Sequence, residues 1–110
     1  MPLSKKQMKR FIDLCVNNWD RMSQKLSPQN EGRPLFPART SLHDKDTGVR
    51  VDQGAKHAHT NDDTYNIHIQ ANNQGRASHG ILFTVEVQPS MSRAAFRSSM
   101  ERAAQDEGLI

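Results

Sequence analysis

Two stretches in which an apolar residue recurs at every second position constrain the fold of this chain most. They span residues 65–72 (YNIHIQAN) and 81–88 (ILFTVEVQ). Because successive side chains of a β-strand point to opposite sides of a sheet, each stretch predicts a strand with one apolar and one polar face. The apolar faces consist of Tyr65, Ile67, Ile69 and Ala71 in the first strand and Ile81, Phe83, Val85 and Val87 in the second. The pattern predicts an antiparallel sheet that is covered on one side only.

A one-sided apolar stripe predicts an N-terminal amphipathic helix over about residues 4–26. Ser4 and Gln7 have the spacing of a capping box, in which each side chain bonds the backbone of the other residue. The stripe consists of Met8, Ile12, Cys15, Trp19, Met22 and Leu26. We expect it to pack into the core. The alternative is a coiled-coil-like seam with a second copy of the chain, which would give a homodimer through this N-terminal helix.

The rest of the chain predicts one α+β domain over residues 1–110. The proline-rich residues 27–39 form a linker, and residues 40–88 form an antiparallel sheet of about four strands. In that sheet a short hairpin turns at DKDTG, a polar loop follows at QGAKHAHTNDD, and the long hairpin comes last. A C-terminal helix spans about residues 91–107, with Ser90 or Ser92 as its cap and Gly108 just past its end.

The positive charge of the chain is concentrated in the first helix. The whole chain has a formal charge of +3, whereas residues 1–26 have six cations against Asp13 and Asp20 and so carry +4. The candidate contacts for nucleic acid or for an acidic partner are Lys5, Lys6, Lys9 and Arg10. Basic surfaces attract such partners, although the same residues also suit the solvated side of a helix.

Cysteine content and apolar patterning predict a cytoplasmic location. Cys15 is the only cysteine, so no internal disulfide can form, and a reducing compartment is expected. No apolar run is long enough to span a membrane, and the basic N-terminus is not followed by the apolar core of a secretory signal. We therefore expect no membrane partner.

The polar row on the first alternating strand is the candidate site. One hairpin register places His68 opposite Glu86, and these two residues are the candidate acid and base of a small ribonuclease-type toxin domain. His59 and Asp63 precede the strand and can fold over His68. Imidazole and carboxylate groups bind divalent metals, so His59, Asp63 and His68 are the candidate metal ligands.

The run HTNDDTYNIHIQAN, residues 59–72, resembles the motif of conjugative relaxases and other HUH endonucleases. His59 falls on the upstream histidine of that motif, His68 on the second of its paired histidines, and Asn72 on its closing asparagine. The resemblance implies a divalent metal that clamps the phosphate of single-stranded DNA for attack by a tyrosine. Asn66 stands where the family has the first paired histidine, and Tyr65, inside the motif, is the only tyrosine of the chain.

The catalytic residues of the HUH motif are thus incomplete in this chain, which argues against catalytic turnover. No cofactor other than that metal is indicated. The favoured prediction is a small non-enzymatic binding protein of a phage or other mobile element. It would act as an inhibitor or accessory factor on a protein or a protein–nucleic-acid complex. The alternatives are a metal-assisted protein that binds or nicks single-stranded nucleic acid, related to HUH relaxases, and the ribonuclease-type domain.

Overall fold

The structure, a computed structural model, describes residues 3–36, 42–73 and 76–110. Its elements are α1 (Lys5–Asn17), α2 (Trp19–Gln24), β1 (Val49–Val51), β2 (Lys56–Asn61), β3 (Thr64–Asn73), β4 (Arg76–Val87) and α3 (Arg93–Asp106). The predicted α+β class, with an N-terminal helix, a four-stranded antiparallel sheet and a C-terminal helix, is confirmed.

The N-terminal helix begins where predicted but is broken in the middle. Ser4 Oγ accepts a hydrogen bond from Gln7 N at 3.1 Å, and Gln7 Oε1 accepts one from Ser4 N at 2.9 Å, which completes the capping box. The prediction of one helix to residue 26 is wrong, because α1 ends and α2 begins around Asn18. The Asn18 side chain donates to Leu14 O at 2.8 Å, and such local bonds compete with the regular backbone ladder.

β3 is the central strand of the sheet. β4 pairs with one of its edges, while β2 and β1 lie end to end along the other edge, and all pairs are antiparallel. β2 occupies a stretch that was predicted to be a polar loop, because its composition has no apolar alternation. β4 begins at Arg76, five residues before the alternating stretch 81–88 from which this strand was predicted.

The hairpin register differs from the predicted one by two residues. His68 lies opposite Thr84, and Glu86 lies opposite Asn66. The prediction that His68 faces Glu86 is therefore wrong. The two predicted faces are nevertheless correct, because a shift of two residues leaves every side chain on the same side of the sheet.

The three helices cover one face of the sheet, and the core fills the space between them. All members of the predicted helical stripe are buried there: Met8, Ile12, Cys15, Trp19, Met22 and Leu26. The stripe therefore packs within the chain and is not exposed for a coiled-coil-like contact with a second copy. Trp19 stacks on Phe96 of α3 at 4.2 Å between ring centroids, and Phe11 stacks on Phe83 of β4 at 5.3 Å.

The segment that precedes the sheet is more ordered than a linker. Residues Pro28–Asn30 form a 3₁₀ turn, and Leu35 and Phe36 are buried. Leu35 N donates to Ala55 O at 2.8 Å, so the segment runs against the start of β2. The predicted linker residues 37–39 lie outside the described residues. Among the helices that the structure describes, none combines the length and apolar character needed to cross a lipid bilayer.

Candidate functional site

The side of the sheet that faces away from the helices presents a mainly polar surface, which we call the open face. Its residues come from alternate positions of the strands: Arg50, Lys56, Ala58, Asn66, His68, Gln70, Asn72, Leu82, Thr84 and Glu86. Leu82 is the large apolar residue among them, with 63% of its surface exposed. The open face thus combines amides, an imidazole and charges of both signs around one exposed leucine.

Gly80 lets two amide side chains lie flat on the open face. A Cβ atom at this position would collide with Gln70 Nε2 and Asn72 Oδ1, so both side chains lie directly over the glycine backbone. Asn72 is buried there, and within the described residues its Oδ1 has no hydrogen-bond partner. The end of the open face near Gly80 is therefore closely packed, whereas the end near Glu86 is exposed.

The candidate acid and base do not form a pair. The His68 ring shares a hydrogen bond of 3.2 Å between its Nδ1 and Thr84 Oγ1. Glu86 is a diagonal neighbour of His68 across β3 and β4, and such neighbours have Cα atoms roughly 7–8 Å apart. His68 is thus oriented by a neutral hydroxyl instead of a carboxylate.

The candidate metal ligands lie on different parts of the molecule. His59 pairs with Tyr65, and its ring contacts the Tyr65 ring at 5.1 Å on the side that faces the core. His59 Nε2 also shares a hydrogen bond with Asp62 O at 2.7 Å. His68 faces the opposite side of the sheet, and Asp63 lies in the turn between β2 and β3. In the described parts of the chain, no group of three or more ligand-type side chains converges.

Two residues of the stretch that resembles the HUH motif, Tyr65 and Asn72, are buried. Tyr65 points into the core and is only 5% exposed, which keeps its ring away from the open face. Asn72 packs over Gly80. The motif residues therefore do not surround one solvent-accessible point.

The basic candidates lie in the helical layer. Lys5, Lys6, Lys9 and Arg10 are all exposed on α1. Because α1 packs on the covered side of the sheet, these cations and the open face belong to opposite sides of the molecule. They do not extend the polar row into one continuous surface.

The turn after His43 contains Asp44, a carboxyl group whose pKa lies below its ordinary value. A hydrogen bond from the Thr47 hydroxyl lowers the pKa of Asp44, and the Thr47 backbone N–H and the charge of Arg10 lower it further. Cys15 behaves in the opposite way, because complete burial raises the pKa of its thiol. A thiol in that state is packed as an apolar group and is no nucleophile.

A cavity of about 660 Å³ was not predicted from the sequence. It lies between the end of α2, the 3₁₀ turn with the loop that follows it, and the start of β2. We call it the Lys25–Arg33 cavity, and its walls include Lys25, Asn30, Arg33, Phe36, Gln53 and His57. His57 could have been assigned to a buried position only if β2 had been recognised, because its cross-strand partner is Ile67.

These features define a small two-layer α+β protein with a one-sided helical cover, an open polar face and a separate cavity. The chain belongs to the HrmA family, described as subtelomeric hrmA-associated cluster protein, whose family model matches residues 4–82. The match includes the walls of the Lys25–Arg33 cavity and ends within β4 at Leu82. Comparison with curated proteins and with solved structures found no match.

Proposed function

We propose that this protein is a small non-enzymatic binding protein whose open face docks on a protein partner as an accessory or inhibitory factor. The observation that carries the proposal is Leu82, a large apolar side chain that is 63% exposed on an otherwise mainly polar surface. Protein interfaces commonly place one apolar anchor inside a polar rim. An origin in a phage or mobile element stays a prediction.

The chemistry of the open face supports binding over catalysis. His68 bonds Thr84, and Glu86 lies one diagonal step away, so neither is arranged as a partner for the other. The candidate metal ligands are distributed over both faces of the sheet and a turn. A hydrolytic reaction needs such groups to converge on one substrate atom.

The same face suits a protein better than a nucleic acid. None of the open-face residues that the structure describes is Phe, Tyr or Trp, and such rings are the usual platforms on which single-stranded bases stack. Glu86 would repel phosphates, whereas Arg50, Lys56 and Glu86 together can meet a protein surface of mixed charge.

A crosslinking experiment in cells of the source organism tests the proposal. A photo-crosslinking amino acid replaces Thr84 on the open face or Glu101 on α3, both of which are exposed. We expect a discrete protein adduct from position 84 that is absent at position 101. Leu82→Asp should abolish that adduct, whereas the matched control Ile110→Asp, at a residue that is 41% exposed in the other layer, should leave it unchanged.

The adduct also gives a partner for a quantitative measurement. Because loss of an apolar anchor costs about 2 kcal/mol, Leu82→Asp should weaken binding by about 30-fold. Adducts of equal intensity at both positions, or an adduct at position 84 that nuclease treatment removes, would refute a protein-binding open face.

A second candidate is binding of single-stranded nucleic acid by α1. The observation that favours it is the exposure of Lys5, Lys6, Lys9 and Arg10 on one helix. Neutralising all four to Gln should then weaken binding of labelled single-stranded DNA and reduce its dependence on salt. As the control, Arg21→Gln and Lys25→Gln change cations outside this group. Binding that is unchanged by the fourfold substitution would exclude α1 as the contact.

A further inference from the structure

The Lys25–Arg33 cavity has the size and the framework of a small-molecule site. Its volume of about 660 Å³ lies within the usual range of roughly 300–1,000 Å³ for ligand pockets. Its walls are connected by backbone hydrogen bonds, of which Gly32 N to His57 O at 3.1 Å and Leu35 N to Ala55 O at 2.8 Å are two. Asn30 Nδ2 also donates to Lys25 O at 3.3 Å. The walls are therefore built before any ligand arrives.

The charged residues that line the cavity have one sign. Lys25 and Arg33 contribute cations, and none of the lining residues that the structure describes is acidic. Asn30 and Gln53 add amide groups to the same walls. A guanidinium and an ammonium group beside amides favour a carboxylate or phosphate group.

His57 supplies an independent sign of a missing partner. It lines the cavity, is only 2% exposed, and within the described chain its Nδ1 has no hydrogen-bond partner. Its Nε2 is within hydrogen-bonding distance of the Ser27 backbone, 3.2 Å from Ser27 O and 3.5 Å from Ser27 N. Buried polar atoms are normally bonded, so Nδ1, a donor or an acceptor according to tautomer, is an unsatisfied group in a residue that lines the cavity.

The remaining walls are apolar. Exposed Pro34, buried Phe36 and Gly54 complete the lining. Such walls suit the ring or chain of a ligand but not a bare inorganic ion, which would leave them uncovered.

We propose that the Lys25–Arg33 cavity binds a small organic anion, in which a carboxylate or phosphate group is attached to an apolar ring or chain. The anionic group lies between Lys25 and Arg33, and the apolar part packs on exposed Pro34. This inference is independent of the protein-binding proposal, because the cavity and the open face share no lining residue.

Titrations of the full chain followed by ¹⁵N NMR test the proposal with four probes: naphthyl phosphate, naphthoate, naphthalenemethanol and inorganic phosphate. We expect saturable shifts with naphthyl phosphate or naphthoate at amides near Gly32, Gly54 and His57. Naphthalenemethanol, which lacks the charge, should bind at least about tenfold more weakly, because a charge-assisted bond is lost. Inorganic phosphate should also bind more weakly than naphthyl phosphate. The stronger of the two organic anions identifies the anionic group.

Substitutions then locate the site. Arg33→Gln and Lys25→Gln should each weaken binding of the organic anion by about tenfold. The matched control Arg21→Gln, in α2 but outside the cavity, should leave the affinity unchanged. Arg33 is exposed, so its replacement should leave the fold intact. Absence of saturable shifts with both organic anions would overturn the proposal. So would equal binding of the neutral probe, or unchanged affinity in the Lys25/Arg33 double variant.

Discussion

At the residue scale, Asp44 shows how a short turn stabilises one charge state. Thr47 donates to Asp44 Oδ2 from its hydroxyl at 2.5 Å and from its backbone nitrogen at 3.0 Å. Both bonds favour the carboxylate over the neutral acid, as does the nearby positive charge of Arg10. The folded protein therefore binds a proton at Asp44 less readily than the unfolded chain does.

This difference predicts a pH-dependent effect of Asp44→Asn. Because the folded-state pKa of Asp44 is lowered, its charge stabilises the fold above the unfolded pKa, and this contribution is lost as pH falls through the folded pKa. We expect Asp44→Asn to lower the melting temperature at pH 7 and to have a shrinking effect below about pH 4. Thermal unfolding by circular dichroism measures both. Asp46→Asn, in the same turn, is the control, and an Asp44→Asn effect that is constant down to pH 2 would contradict this account.

Single residues also show what sequence patterns can predict. The inward or outward direction of nearly every residue in β3 was predictable, because alternation depends only on neighbours along the chain. The pairing of His68 with Thr84 was not, since register depends on how the two strands pack across the sheet and not on neighbours along the chain. Candidate pairs such as His68 and Glu86 therefore cannot be drawn from spacing alone.

At the element scale, β3 could be predicted from the sequence, whereas β2 could not. β3 has a strong apolar alternation of its own, whereas β2 has the sequence KHAHTN and becomes a strand by pairing with β3. The break between α1 and α2 could not be predicted from the sequence for a related reason. The apolar stripe continues across Asn18, and only the side-chain bond to Leu14 O reveals that the backbone changes there.

Two contacts that attach α3 to α2 should differ greatly in strength. Phe96 is fully buried and stacks on Trp19, whereas Arg93 pairs with Asp20 at 2.7 Å through side chains that are largely exposed. Phe96→Ala should lower the free energy of unfolding by about 3–5 kcal/mol, because it leaves a cavity in the core. Arg93→Ala should lower it by at most about 1 kcal/mol, because water screens the ion pair.

Urea unfolding of both variants measures this contrast. Phe96→Ala should lower the free energy of unfolding more than Arg93→Ala does. The opposite order would mean that the ion pair, not the aromatic stack, holds α3 in place. Asp20→Ala serves as the matched control, because it breaks the same ion pair from the other side.

At the scale of the whole molecule, one-sided covering of the sheet determines where function can lie. The helices and the core use one face completely, so Leu82 and the polar row remain on the other. The alternating strands predicted this open face, because their polar sides had no apolar partner. The Lys25–Arg33 cavity could not be predicted in the same way, since its walls come from segments that only the tertiary fold brings together.

The family match raises a question about the smallest folding unit. It ends at Leu82 and therefore leaves out the last part of β4 and all of α3. A chain truncated after Leu82 would lack Phe83, the stacking partner of Phe11, and Phe96, the stacking partner of Trp19. Those two aromatic side chains of the N-terminal helices would lose their cover.

We therefore expect the chain of residues 1–82 to lack cooperative unfolding, because its helical layer and its sheet both lose central packing partners. A chain of residues 1–109 is the control. It keeps buried Leu109, whose backbone nitrogen bonds Ala104 O at 2.8 Å, and removes only Ile110, which is 41% exposed. Thermal denaturation and the dispersion of ¹⁵N NMR spectra distinguish the two. A sharp melting transition for residues 1–82 would mean that the matched segment folds by itself and that α3 is an addition to a complete core.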